Sequence, residues 1–138
     1  MPQTARAVVN CRLLPDEKPE DVERTLARVV ADEQIAISRI NEPRPSPPSP
    51  LVPEVLLPIE RITAEMWPGL PVVPIMETGA TDGLILRRAG IPVYGTSGMF
   101  FDIDDVRAHG KDERISVQSY HEGVEFMYRL LKALASSR

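Results

Sequence analysis

The stretch Val72-Val-Pro-Ile-Met-Glu-Thr-Gly-Ala-Thr-Asp82 sets the fold expected of this chain. Val72 to Met76 is a short apolar run with the length and composition of a strand. Pro74 inside it argues for an edge or a local bulge, because proline donates nothing to a ladder. The run then opens a helix. Thr81 or Asp82 can cap it, it should run to about Arg88, and Gly90 suits the position just past its end. Ile91-Pro-Val-Tyr94 reads as the next strand. Upstream, Pro53 to Trp67 carries Leu56, Ile59, Ile62 and Met66 at helical spacing, with Pro58 tolerable only near the first turn and Pro68-Gly69 as the stop. Helix–strand–helix–strand predicts an α/β layer with parallel strands.

Outward from this layer the pattern continues. Ser116 is placed to cap a long final helix. Its expected apolar stripe is Tyr120, Val124, Met127, Tyr128, Leu131 and Leu134, with Glu122, Glu125, Arg129 and Lys132 largely off it. At the other end, residues 5–13 alternate, with Ala5, Ala7, Val9, Cys11 and Leu13 on one face, which predicts a half-buried strand. Pro15 to Pro19 is a turn. Pro19, Glu20 and Asp21 then suit a helix N-terminus, and Val22, Leu26, Val29 and Val30 give its stripe. Residues 35–40 read as another strand. Strand–helix–strand is too little for a stable unit unless its sheet is completed elsewhere. Between the two parts, Asn41 to Pro50 holds five prolines. It reads as a stiff connector between domains, with an ordinary surface loop as the alternative.

The chain has 138 residues, enough for one domain or parts of two. A net charge of -4 gives no basic face, so nucleic acid is not an expected partner. The single cysteine, Cys11, excludes an intrachain disulfide and fits a reducing compartment, so a cytoplasmic location is the expectation. No apolar run approaches the roughly 18 residues a membrane span needs, and no leader is visible.

Four features could carry chemistry. Met76 to Asp82 follows a strand and opens a helix, where ligands of open α/β sheets bind; Gly79 would let a ligand approach the backbone. Thr81 and Asp82 could equally be capping residues alone. Gly95-Thr-Ser-Gly98 is either an anion nest or a flexible turn, and it lacks the lysine of a phosphate-binding loop. Arg12 could clamp a carboxylate bidentately or be solvated surface charge. His109, in Val106-Arg-Ala-His-Gly-Lys-Asp-Glu-Arg-Ile115, is a candidate metal ligand or a structural histidine. His121 is a poor partner for it. Asp102, Asp104 and Asp105 do not match a calcium loop and read as a solvated acidic loop.

Taken in order, Gly79-Ala-Thr-Asp82, Ala89-Gly-Ile-Pro-Val-Tyr-Gly95 and His109-Gly-Lys-Asp-Glu-Arg-Ile115 form a more specific pattern. The pattern resembles the C-terminal third of the two-zinc amidohydrolases of peptidase clan MH. That family includes aminoacylase, acetylornithine deacetylase, succinyl-diaminopimelate desuccinylase and glutamate carboxypeptidase. Asn10-Cys-Arg-Leu-Leu-Pro15, in the opening from Pro2 to Pro15, is similar to the family's lid strand, and Val117 to Leu134 is most similar to carboxypeptidase-like members.

The resemblance implies roles. His109 would ligate zinc, two ions forming the complete site. Arg12 would bind the substrate carboxylate, and Gly79 and Thr81 would face the substrate. It implies hydrolysis of peptide or N-acyl-amino-acid amide bonds by metal-activated water. It also implies a lid, or dimerisation, half in residues 1–41, a connector in 42–50, part of the catalytic domain in 51–138, and a homodimer formed through the lid. The family's other zinc ligands and its general-base glutamate belong to a part with no counterpart here, so no catalytic residue is assigned in this chain. Its lid asparagine is also missing, and Gly83-Leu-Ile-Leu-Arg stands where many members carry Ser-Arg. The chain is therefore expected to be a C-terminal fragment or a subunit completed by another chain. A non-catalytic α/β binding or dimerisation module is the alternative.

Overall fold

The structure, a computed structural model, describes residues 3–14, 17–77 and 79–136. Its helices are α1 (Pro19–Val30), α2 (Pro53–Met66), α3 (Gly83–Arg88) and α4 (Val117–Ser136). Among the described residues no strand forms. The segments 5–13, 35–40, 72–76 and 91–94 therefore have strand composition without a sheet. A strand is held by the N–H and C=O groups of a neighbour, and within these residues no neighbour supplies them. The expected α/β layering is not formed here, and what forms is helical. Apolar side chains suited to a sheet stand exposed in consequence, Val73 at 66% and Ile75 at 76%.

The chain divides into two compact units, one of Met1–Pro48 with Glu77–Val93 and one of Ser49–Met76 with Tyr94–Arg138.

In the first unit, α1 begins at a proline with Glu20 and Asp21 in its first turn, as the sequence predicts. It ends at Ala31, whose φ of 48° is left-handed and whose N–H reaches the carbonyl of Ala27. Val22 and Leu26 are half-buried, whereas Val29 is exposed. Arg39 ties the following segment back to the helix. Its Nη2 donates to Glu20 at 3.1 Å and to Glu23 at 2.8 Å. The short α3 ends in a Schellman turn: Gly90, at φ 82°, donates to the carbonyl of Arg87, and Ile91 donates to that of Leu86. The left-handed angle is the reason glycine stands at 90. Within the proline-rich stretch, Ser46 Oγ accepts from Arg87 Nε at 3.0 Å.

In the second unit, α2 packs on α4 around Ile62, Phe126 and Leu130, with Ile59, Met66, Trp67, Met127, Ala133 and Leu134 beside them. The α2 stripe follows the expected spacing. Pro58 lies inside the helix, beyond its first turn. It forgoes one helical bond, to the carbonyl of Glu54, and the helix continues past it.

The stripe expected on α4 needs correction. The buried face is Ser119, Gly123, Phe126 and Leu130, with Phe126 and Leu130 in the core shared with α2 and Ser119 and Gly123 against residues 97–100. Of the expected stripe, Tyr120, Val124, Tyr128 and Leu131 are each more than half exposed. The helix is apolar around more than half its circumference, so periodicity picked the neighbouring face. The small residues Ser119 and Gly123 mark the side where backbone approaches closely.

Candidate functional site

His109 sits in a loop of the second unit that holds itself together by charge. The carboxylate of Asp105 accepts from Arg107 on one side and from Arg114 on the other, the latter through Nη2 at 2.7 Å and Nε at 3.0 Å. Arg107 also donates to Asp112. The two guanidinium groups hold Asp105 below the usual carboxylate range, hydrogen bonding from Arg107 contributing most. Arg107 is raised in turn, first by its bond to Asp105. The acidic loop read as solvated is therefore paired at Asp105, and Asp102 Oδ1 accepts the N–H of Asp104 at 2.9 Å. The sequence does not announce the pairing because its partners lie two, five and nine residues apart, with no helical register to bring them together. The alternation of signs from Asp105 to Arg114 was the available signal.

Within this loop His109 has φ 64°, a left-handed angle that is costly for a residue with a Cβ. Three bonds hold it there. Glu113 Oε1 accepts the His109 N–H at 3.2 Å, Gly110 N–H reaches the carbonyl of Arg107 at 3.0 Å, and Glu113 N–H reaches that of Gly110 at 3.3 Å. The side chain is exposed, and no hydrogen bond among the described residues engages its ring nitrogens. His121 lies exposed on α4 against Tyr120 and takes no part.

The Gly95 to Gly98 segment has a structural explanation. Gly98 has φ 63°, and a Cβ there would lie 2.5 Å from Cγ of Phe126. The glycine lets the chain lie on α4 where the core is filled. Phe100 is then pinned to that helix through Ser119.

In the first unit, Arg12 is exposed and makes no ion pair among the described residues. Gly79 is exposed with no atom within 4 Å of where a Cβ would stand, so its face is open. Thr81 is exposed and its carbonyl accepts the Leu84 N–H at 3.1 Å. Asp82 occupies the capping position of α3 but makes no side-chain cap bond. No hydrogen bond joins Arg12 to Gly79 or Thr81 among the described residues. Pro2, Pro15 and Thr78, which belong to the same motifs, lie outside the described residues.

An imidazole that is exposed, and unengaged among the described residues, has the donor chemistry zinc takes. His109 fits as one ligand. Among the described residues, however, no three His, Cys, Asp or Glu side chains converge on a point, so they form no closed metal site. A cavity of about 240 Å³ beside the loop is lined by Phe100, Phe101, Asp102, Asp105, Arg114 and Ser116 among others. Of its charged members Asp105 and Arg114 are paired with each other, and Asp102 accepts the Asp104 N–H. Among the described residues no helix is long and apolar enough to cross a membrane.

Comparison with known proteins gives these residues a context. Residues 6–133 match the family model "Peptidase family M20/M25/M40". The chain is 31% identical over 137 residues to an N-fatty-acyl-amino acid synthase/hydrolase of Xenopus tropicalis, covering 96% of this chain and 26% of that protein. It is 27% identical over 134 residues to "Probable carboxypeptidase S-like 2" of Dictyostelium discoideum, covering 96% of this chain and 26% of that protein. An N-fatty-acyl-amino acid synthase/hydrolase of Homo sapiens is 26% identical over 136 residues, covering 96% and 27%. The chain thus spans about a quarter of the length of these relatives. No solved structure matches it.

Proposed function

The chain belongs to peptidase family M20/M25/M40, and from that premise we propose that it is part of a zinc-dependent hydrolase of peptide or N-acyl-amino-acid amide bonds. The observation that carries the reading is the family match across residues 6–133 together with His109 presented, exposed and unengaged, from a self-paired loop. The printed names of the relatives, a carboxypeptidase-like protein and N-fatty-acyl-amino acid synthase/hydrolases, favour a substrate with an amino-acid carboxylate.

His109 contributes one zinc ligand. Zinc, when bound, supplies Lewis acidity toward the scissile carbonyl and toward water. Arg12 binds the substrate carboxylate: its planar guanidinium makes two parallel bonds, and among the described residues it is not spent on an ion pair. Gly79 leaves room for the substrate against the backbone, and Thr81, two residues on, is exposed. The remaining donors and the general base come from polypeptide beyond these 138 residues, joined in cis or in trans. Residues 1–41 form half of a lid that also makes a homodimer, 42–50 connect, and 51–138 belong to the catalytic domain. The strand-like segments that lack a ladder here pair in that completed α/β fold.

The experiment is hydrolysis of an N-acyl-amino-acid and dipeptide panel by the completed protein, before and after chelation. Activity that a chelator abolishes and zinc restores supports the reading. Activity indifferent to chelator, or to His109→Ala, contradicts it.

A further inference from the structure

We infer that Asp105 is a positioning residue for His109, because its carboxylate joins Arg107 and Arg114, which flank that histidine, and so closes the loop from which it projects. The inference rests on the reading of His109 as a metal ligand and adds residues to it.

The loop from 105 to 114 carries six charged side chains besides the histidine. Five of them are engaged within it: Asp105, Arg107 and Arg114 with one another, Asp112 with Arg107, and Glu113 with the N–H of His109. Only Lys111 makes no such contact among the described residues. A loop that needed solubility alone would leave its charges in water, where isolated surface pairs gain little. Here one carboxylate takes three hydrogen bonds from two guanidinium groups, a geometry that fixes both loop arms.

The consequence is felt at the apex. His109 adopts a left-handed backbone that a residue with a Cβ avoids unless its surroundings impose it. Glu113 imposes it directly by accepting the His109 N–H, and the ring closed by Asp105 holds Glu113 and its neighbours in place. The arrangement uses the loop's own groups and leaves the imidazole, like the Lys111 ammonium, uncommitted among the described residues. A backbone fixed in this way does not have to be ordered when the ion arrives, and groups that position a ligand weigh on metal affinity.

The test uses the completed protein, with zinc itself as the probe. Two quantities are read: zinc affinity by competition with a chelator, and the exchange rate of the His109 amide hydrogen. Asp105→Asn should weaken zinc binding about ten-fold or more and speed exchange at His109. Asp104→Asn, a neighbouring acid outside the ring, should change neither. If Asp105→Asn does not fold, Glu113 serves instead. Glu113→Ala should weaken zinc and speed exchange, and Glu113→Gln, which keeps an accepting oxygen, should restore both. Zinc affinity unchanged in Asp105→Asn and in Glu113→Ala, with only the melting temperature lowered, would overturn the inference while leaving His109 a ligand. Zinc held equally well by His109→Ala would instead overturn the ligand reading, and this inference with it.

Discussion

The hydroxyl of Ser119 serves both backbone groups of Phe100, accepting its N–H at 2.7 Å and donating to its carbonyl at 2.7 Å. Ser119 is buried on α4, so no water replaces it. One side chain thus fastens the 95–100 segment to the helix that carries the core. Ser119→Ala should lower stability by about 1–3 kcal/mol, since both backbone groups lose their partner at once. Chemical denaturation measures it; a change near zero would show that the segment is held by apolar contact alone.

The same contact makes two glycines unequal. A Cβ at Gly98 would meet the ring of Phe126, which is 2% exposed, at a backbone angle of 63°. Neither the core ring nor the angle can yield cheaply, and Gly98→Ala should cost roughly 2–4 kcal/mol. A Cβ at Gly123 would lie 2.3 Å from Cγ of Met99, a flexible and half-buried side chain, with the carbonyl of Ser97 at 3.1 Å. Met99 can turn away, and alanine gains about 1 kcal/mol over glycine within a helix. Thermal melts should rank Gly98→Ala well below Gly123→Ala; the reverse order would place the tight approach elsewhere.

Glu20 gives a pH prediction. A backbone hydrogen bond at the start of α1, and then the Arg39 guanidinium, hold its carboxyl below the ordinary glutamate range. Its folded value is depressed, so its contribution is present above the unfolded value of about 4.3 and is lost as pH falls through the folded one. Carboxyl NMR should find the Glu20 midpoint below that of a free glutamate. Arg39→Ala should raise it part of the way, because the backbone bond remains. A midpoint unmoved by Arg39→Ala would deny that Arg39 docks on α1.

For the proposed reaction, Arg12→Ala should raise KM for N-acyl amino acids by ten-fold or more with a smaller change in kcat, as loss of a charged hydrogen bond worth about 1.5–3 kcal/mol implies. Arg12→Lys should recover only part, since an ammonium cannot make two parallel bonds. A substrate with its carboxylate amidated should lose the difference between variants. Equal KM for all three proteins would remove Arg12 from the site.

Helices were legible where local signals agreed. Pro19 with Glu20 and Asp21, Gly90 past α3 and the α2 stripe each marked an element or its end correctly. Residues 5–13 and 72–76 carry strand patterns with no partner among the described residues, because alternation records what a strand would bury and says nothing of where its neighbour comes from. On α4 the apolar arc is wide enough to offer two faces. Only packing chose the one with Ser119 and Gly123. His109 was singled out by its place in a motif, whereas the pairing of Asp105 with Arg107 and Arg114 is a contact that spacing does not encode.

The proposed role of His109 is that of one zinc donor in a site whose other donors lie outside these 138 residues. Zinc binding and amide hydrolysis by the purified 138-residue chain, measured beside the completed protein, test it most directly. The chain alone should bind zinc weakly and hydrolyse nothing, whereas the completed protein should bind zinc tightly and hydrolyse amides, and His109→Ala should lose both. Robust amidase activity from the isolated chain would contradict that role.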